Sequence, residues 1–148
     1  LDGSDNAVIA VLDKFHEKGP MDADLPAALT AFNEKDVPSI LNALDGMSGE
    51  WAEKQAANLR KKSPLALSVT FEAIKRGLEL NFKEAMTQEL DLSLNFLKTQ
   101  DFYEGIRAQL IDKDRNPKWS HESAKAVTDE QVDRLFKTTA NPPLKFLN

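Results

Sequence analysis

Residues 63–77 read SPLALSVTFEAIKRG, and this stretch decides the fold class. Ser63 is a natural helix N-cap, and Pro64 suits the first helical position, where its missing N–H leaves no intrahelical bond unmade. Apolar residues then recur at i, i+4, i+7 and i+11, namely Leu67, Phe71, Ile74 and Leu78. The segment LALSVTF alternates briefly as a strand would, but the helical spacing continues to Leu78 and favours a helix.

Helix start and stop signals recur along the rest of the chain. Asp36 is placed to cap a helix from Val37 to Leu44 with Pro38 in its first turn, and Ser48 is placed to restart the chain into a polar helix that reaches about Lys61. Shorter helices are expected around Val8 to Phe15 and over Leu25 to Phe32.

Three capping-box patterns follow, in which a polar N-cap residue precedes an acid or amide by three positions. They are Asn81 with Glu84, Asp101 with Glu104, and Thr128 with Gln131. The first precedes an apolar stripe made of Phe82, Ala85, Met86, Leu90, Leu94 and Leu97. After the second, Phe102, Ile106 and Leu110 are expected to form the face that packs. No stretch predicts a strand, so we expect an all-α chain of about seven helices with short connections.

Composition narrows the class of protein. The chain has 148 residues, 41% of them hydrophobic, and a net charge of -5. This acidic balance argues against nucleic acid as a partner. The chain has no cysteine, which excludes disulfides and thiol catalysis. No apolar run approaches the roughly 20 residues that a membrane helix needs, and the first residues resemble neither a secretory nor a transit signal. We therefore expect no membrane contact and a cytoplasmic protein, or a matrix protein if the source has mitochondria.

The residues offer little for a metal or an active site. The two histidines, His16 and His121, have no second histidine at metal-ligand spacing. The segment IDKDRN, residues 111–116, has the acidic spacing of a calcium loop but lacks the central glycine and the distal glutamate of that loop. We expect no metal, and we interpret IDKDRN as a solvated turn after a helix.

Glu89 lies on the edge of the apolar stripe, and a carboxylate that partly leaves water needs a partner. Arg107, one helix later, is the candidate, and we predict that the two side chains pair across packed helices. In the same region, Gly105 is expected to allow close approach of another helix. Trp119, after Pro117, is expected to fix the exit of the chain.

The order of segments from Ser63 onward resembles a known family. SPLALSVTFEAIKRG, then TQELDLS within an amphipathic helix, then DFYEGIRAQLIDKDRNPKW is similar to the C-terminal part of the crotonase superfamily. The continuation RAQLIDKDRNPKW is similar to its 3-hydroxyisobutyryl-CoA hydrolase branch. The resemblance covers residues 63–136 closely and residues 1–62 more loosely. It implies a helical linker region over 1–62 and a C-terminal crotonase-type helical region over 63–148, packed as one domain.

The resemblance also implies that the catalytic groups lie outside this helical region. Enzymes of this branch hydrolyse an acyl-CoA thioester in valine breakdown, and their oxyanion hole and catalytic acids lie in a ββα-spiral core that this chain lacks. We therefore expect no catalytic residue here, no cofactor, and a role in covering the missing N-terminal core. The parent could instead be an enoyl-CoA hydratase, or the chain could be a non-catalytic assembly module.

The resemblance further implies that Lys113 is a candidate for contact with the CoA phosphates of the substrate. Arg107 is a weaker candidate, since Glu89 competes for it. A helical region separated from its core leaves apolar surface uncovered, and large uncovered patches mark interfaces. We therefore expect homo-oligomers through the helices between Ser63 and Leu97.

Overall fold

The computed structural model describes residues 9, 11–13, 25–140 and 142–146. Within these residues the chain forms seven α-helices and no strand, which confirms the all-α prediction. The helices are α1 (Leu25–Phe32), α2 (Val37–Gly46), α3 (Glu50–Arg60), α4 (Pro64–Gly77), α5 (Phe82–Phe96), α6 (Gln100–Ile106) and α7 (Asp129–Leu135). A π-helical turn (Arg107–Ile111) extends α6, and a 3-10 turn (Ala124–Ala126) precedes α7. The helix predicted around Val8 to Phe15, like His16, lies largely outside the described residues.

Four of the predicted helix starts are confirmed by side-chain caps. The Asp36 carboxylate accepts from the Ser39 amide at 2.7 Å, and the Ser63 hydroxyl accepts from the Ala66 amide at 3.0 Å. Both reciprocal bonds of a capping box are present at the starts of α5 and α7. The prediction for α3 was less accurate, because Gly49 rather than Ser48 precedes this helix, at a φ of 119° that side-chain-bearing residues rarely adopt.

Two clusters of buried side chains organise these helices. The first joins α1, α2 and α3, with Leu44 at its centre and the alanines Ala31, Ala52 and Ala56 around it. The second joins α4, α5 and α7 through Leu65, Val69, Leu92, Val132 and Leu135. Phe71 of α4 packs against the first cluster, so α4 contributes to both. Arg76 adds a polar tie from α4 to α7, since it pairs with Asp133 at 2.5 Å.

The apolar stripes that the sequence predicts are only partly buried. On α4 the buried positions are Leu65 and Val69, whereas Ile74 and Leu78 are 65% and 81% exposed. Phe82 and Met86 at the start of α5 are exposed as well. These residues lie on the helices where uncovered apolar surface is expected, and they stay exposed because α4 and α5 turn a neighbouring side toward α7. We call the exposed set Ile74, Leu78, Phe82 and Met86 the α4–α5 apolar face.

No helix among the described residues is long and apolar enough to cross a lipid bilayer.

Candidate functional site

Residues 99–120, here called the clasp segment, concentrate the polar contacts that the sequence analysis singled out. The segment starts α6 with Thr99, whose hydroxyl accepts from the Phe102 amide at 3.3 Å. The predicted capping box of Asp101 and Glu104 is therefore wrong. A threonine two residues earlier takes the N-cap position, which places both acids inside the helix and leaves their side chains to other partners.

Asp101 is a buried carboxylate at the junction of α6 with the start of α4. It is 3% exposed. The Ser63 hydroxyl donates to one of its oxygens, and the Ser120 amide donates to the other at 2.8 Å. Ser63 thus caps α4 and also donates to α6, so a single side chain fixes the junction between the two helices.

Trp119 lies over the same junction. Its indole Nε1 donates to the Lys61 carbonyl at 3.1 Å, which fixes the end of the clasp segment beside the start of α4. The six-membered ring faces Gly105, where an added Cβ would lie 3.5 Å from the nearest ring carbon. The prediction that a helix approaches Gly105 is therefore wrong, because the group that lies against this glycine is the Trp119 ring.

Arg107 is the centre of an ion-pair cluster in the middle of the clasp segment. Its guanidinium binds both oxygens of Glu104, at 2.8 and 2.9 Å. It also donates to Asp112 at 2.6 Å and to Asp114 at 2.7 Å. The Arg107 guanidinium and the Lys118 amide lower the pKa of Glu104 to about 2. The pKa of Asp114 is lowered too, mainly by the Arg107 guanidinium and to a smaller extent by the Asn116 amide.

The predicted pairing of Glu89 with Arg107 is wrong. Glu89 is exposed and lines a shallow groove between α4 and α5, and it forms no ion pair within the part of the chain that the structure describes. Arg107 finds its carboxylates within seven residues of its own position. Local carboxylates reach the guanidinium without the cost of ordering a second helix, so they prevail over a distant one.

The π-helical turn after α6 changes which side chains are buried. The Asp112 amide donates to the Arg107 carbonyl at 2.8 Å, five residues back, so the turn holds one residue more than an α-helical turn. Ala108 is fully buried, while Leu110 and Ile111 are exposed. Burial of Leu110 was predicted and is wrong, because the wider turn rotates the following residues away from the α-helical positions.

Lys113, the predicted phosphate contact, lies on the loop 112–118 that follows this turn. It is exposed and has a φ of 57°, and Arg115 has a φ of 53°. The acidic neighbours Asp112 and Asp114 are engaged by Arg107. The loop therefore turns its acids toward Arg107 and carries Lys113 at its exposed surface.

A second polar cluster, formed by Asp91 and Asn95 on α5, was missed by the sequence analysis. Asp91 accepts from the amides of Thr139 and Ala140 at 2.7 and 2.8 Å. The Asn95 amide donates to the Leu135 carbonyl at 3.0 Å and to the Lys137 carbonyl at 2.8 Å. These two side chains pair the chain that follows α7 with α5. Nothing in the sequence around Asp91 indicates its partners, which lie more than 40 residues later.

No group of three or more histidines and acids suited to a metal occurs within the described ranges. The His121 ring lies 2.9 Å from the Ser120 hydroxyl at an exposed position. The carboxylates of Asp101 and Glu104 are both taken up by donors of this chain. The clasp segment thus has the contacts of a structural junction, and it includes the exposed 112–118 loop that carries Lys113.

The fold and the clasp segment define a helical region of the crotonase type. Residues 2–136 match the model of the enoyl-CoA hydratase/isomerase family, and the chain belongs to that family. It is 36% identical to the Xenopus tropicalis protein named 3-hydroxyisobutyryl-CoA hydrolase, mitochondrial, over 93% of this chain and 38% of the relative. The human protein of the same name is 31% identical over 94% of this chain and 38% of its own length.

Two solved structures are similar to this chain in both fold and sequence. An enoyl-CoA hydratase from Rhodobacter sphaeroides superposes with a TM-score of 0.80 and 29% identity, covering 95% of this chain and 44% of the other. A carnitinyl-CoA dehydratase from Mycobacterium thermoresistibile superposes with a TM-score of 0.81 and 31% identity, covering 88% of this chain and 37% of the other. The chain thus spans well under half the length of the relatives it matches.

Proposed function

We propose that this chain is the C-terminal helical region of a 3-hydroxyisobutyryl-CoA hydrolase-like enzyme, where it covers the catalytic core and forms subunit contacts. The observation that carries the proposal is the alignment with relatives named for that hydrolase, which extends over 93% of this chain but only 38% of the Xenopus tropicalis relative. The remaining part of such an enzyme would hold the reaction centre.

The reaction under this proposal is hydrolysis of an acyl-CoA thioester, a step of valine breakdown. Fixed dipoles stabilise the oxyanion, and a carboxylate activates water. A general base must reach the proton that it abstracts, whereas Asp101 and Glu104 already accept from donors of this chain. This supports a structural role for both residues and catalytic residues elsewhere in the enzyme. The substrate carries its own CoA group, and the proposed hydrolysis uses no cofactor.

Lys113 is the residue that we propose to contact the CoA phosphates. Its support is geometric, because it is exposed on the 112–118 loop while the neighbouring acids are paired with Arg107. Carboxylates paired with another cation weaken the attraction of a nearby ammonium group for phosphate less than free carboxylates do. Arg107 is the weaker candidate, since its guanidinium is engaged by three carboxylates.

The α4–α5 apolar face supports the role in covering and assembly. Leu78, which directly follows α4, and Phe82, which begins α5, are 81% and 73% exposed, and exposed apolar side chains mark an interface where they form a patch. We propose that this face is covered by the rest of the enzyme or by another subunit, and that the isolated chain associates with itself through it. The relatives are named as mitochondrial, so we propose the mitochondrial matrix for a eukaryotic source and the cytoplasm otherwise.

A second candidate is an enoyl-CoA hydratase-type parent. It is supported by the likeness to the enoyl-CoA hydratase structure at a TM-score of 0.80. The two parents differ in the fate of the substrate, because a hydrolase releases free CoA whereas a hydratase adds water to a double bond and keeps the thioester.

Two polypeptides separate these proposals: the chain alone, and the chain joined to the N-terminal part of the Xenopus tropicalis relative. The chain alone is expected to release no CoA from 3-hydroxyisobutyryl-CoA, and the joined protein is expected to release it. Turnover by the chain alone would refute the absence of catalytic residues. A folded joined protein that releases no CoA, under conditions where the intact Xenopus tropicalis relative does, would show that this chain does not complete that hydrolase and would favour the second candidate.

Self-association is tested by light scattering over a range of concentrations. The chain is expected to form dimers or larger species, and Leu78→Lys is expected to shift it toward monomer. Leu110→Lys is the matched control, since it places the same charge at an exposed leucine outside the α4–α5 apolar face. A strict monomer at high concentration would contradict the proposal.

A further inference from the structure

The loop 112–118 has the acidic spacing of a metal loop, but a side chain lies where the ion would be. Asp112, Asp114 and Asn116 stand at i, i+2 and i+4, as do the first three ligand positions of an EF-hand calcium loop. In this chain the Arg107 guanidinium lies at their centre. It contacts both aspartates at 2.6 and 2.7 Å and the Asn116 carbonyl at 3.3 Å.

The guanidinium satisfies this site with all three of its nitrogens. Nε and Nη2 bind the two oxygens of Glu104, and Nη1 bridges Asp112 and Asp114. Such planar, bidentate recognition of a carboxylate is specific to arginine, because lysine offers a single ammonium centre. Three carboxylates converge here, so the cluster keeps a net negative charge with the guanidinium in place. Of the described residues, Arg107 alone forms ion pairs with them.

The backbone of the loop depends on these contacts. Lys113 and Arg115 have positive φ angles, which are unfavourable for residues with a Cβ and persist when their surroundings fix them. Asp114 is held by Arg107 and in turn accepts from the Asn116 amide at 2.8 Å. Glu104, also held by Arg107, accepts from the Lys118 amide at 2.5 Å. Backbone bonds from the Asp112 amide to the Arg107 carbonyl and from the Arg115 amide to the Ala108 carbonyl hold the first half of the loop. The bonds of the second half, to the Asn116 and Lys118 amides, pass through carboxylates that the guanidinium positions.

We propose that Arg107 is the internal cation that organises the 112–118 loop, in the place that a metal ion takes in loops of the same spacing, and that its removal leaves a binding site for a free guanidinium ion. Arg107 is thus a positioning residue for the loop. The inference does not rest on the function proposed above, because it concerns only contacts within this chain.

The test uses the full chain with Arg107→Ala, and follows the amide protons of Asn116 and Lys118 by NMR hydrogen exchange. Both amides are expected to exchange at least about tenfold faster than in the unmodified chain, because their acceptors are no longer held. Low-millimolar guanidinium chloride is expected to restore much of the protection, whereas the same concentration of sodium chloride is not. Arg134→Ala is the matched control, since Arg134 pairs with Glu130 at an exposed position and its loss should leave these amides unchanged.

Unchanged exchange in Arg107→Ala would overturn the proposal, and so would lost protection that guanidinium fails to restore in a variant whose other amides stay protected. If Arg107→Ala does not fold, Arg107→Lys decides the question. That variant keeps the charge without the fork, so it is expected to fold and to exchange Lys118 faster than the unmodified chain. Exchange equal to that of the unmodified chain would show that charge alone suffices and would refute the role of the guanidinium.

Discussion

Replacing Asp101 by alanine tests whether the junction of α4 and α6 depends on one buried carboxylate. The side chain is 3% exposed and accepts from the Ser63 hydroxyl and the Ser120 amide. Asp101→Ala leaves both donors without an acceptor. An orphaned buried donor costs about 1–3 kcal/mol, so the expected loss is about 3 kcal/mol of unfolding free energy. Asp101→Asn keeps an acceptor for the Ser120 amide and is expected to cost about 1 kcal/mol.

Urea unfolding followed by circular dichroism measures these differences. For a denaturant dependence of about 1.5 kcal/mol per molar, Asp101→Ala should lower the midpoint by about 2 M. Asp45→Ala is the matched control, because Asp45 pairs with Arg60 at 2.5 Å with both side chains about half exposed. Exposed pairs contribute about 1 kcal/mol or less, so this midpoint should move far less.

Two results would refute the reasoning. Equal decreases in the urea midpoint for Asp101→Ala and Asp45→Ala would show that burial of Asp101 does not increase the stability that its contacts contribute. A loss for Asp101→Asn as large as that for Asp101→Ala would show that the negative charge, and not hydrogen-bond acceptance, is what the junction requires.

Three further predictions follow from the same contacts. Gly105→Ala should leave the Trp119 indole signal unchanged, since a Cβ there sits at ordinary contact distance of 3.5 Å, whereas Gly105→Leu should displace the ring and expose the indole N–H in NMR spectra. Asn95→Ala removes the donors to the Leu135 and Lys137 carbonyls, so trypsin should cleave after Lys137 faster than in an Asn58→Ala control. Because the pKa of Glu104 falls from 4.5 to about 2 on folding, the stability that its carboxylate contributes is complete above pH 4.5 and is lost as the pH falls toward 2. The Lys118 amide should therefore stay protected from exchange down to about pH 4.5, and protection that is already lost above pH 5 would contradict this.

Helix starts were predictable because their signals are local. Ser63 and Pro64 specify the start of α4 within two residues, and Asn81 with Glu84 does the same for α5 within four. The same locality explains the error at α6. Asp101 with Glu104 fits the capping-box pattern, but Thr99 fits the N-cap position as well, and only the packing of Asp101 against Ser63 selects between them.

Buried polar residues were the part that the sequence could not reveal. Asp91 and Asn95 are buried on α5 because backbone groups from residues 135–140 supply their hydrogen-bond partners. Conversely, Ile74 and Leu78 carry an apolar pattern and remain exposed, because no described element packs on that side. A single-sequence pattern gives the apolar face of a helix, but not which surface the fold supplies to cover it. The pairing partner of Arg107 was missed for a related reason, since its carboxylates converge only through the turn that follows α6.

The bond from the Trp119 indole to the Lys61 carbonyl closes a chain segment of 58 residues, and the Asp101 contact with Ser63 closes one of 38. Bringing such distant residues together costs loop entropy that grows with segment length. These contacts are therefore expected to form after the helices and after the first apolar cluster, whose buried residues all lie between positions 31 and 56, on the native side of the folding barrier. Weakening either one should speed unfolding and leave the rate of folding nearly unchanged, so the junction at α4 would set the lifetime of the folded chain and not the speed with which it is reached.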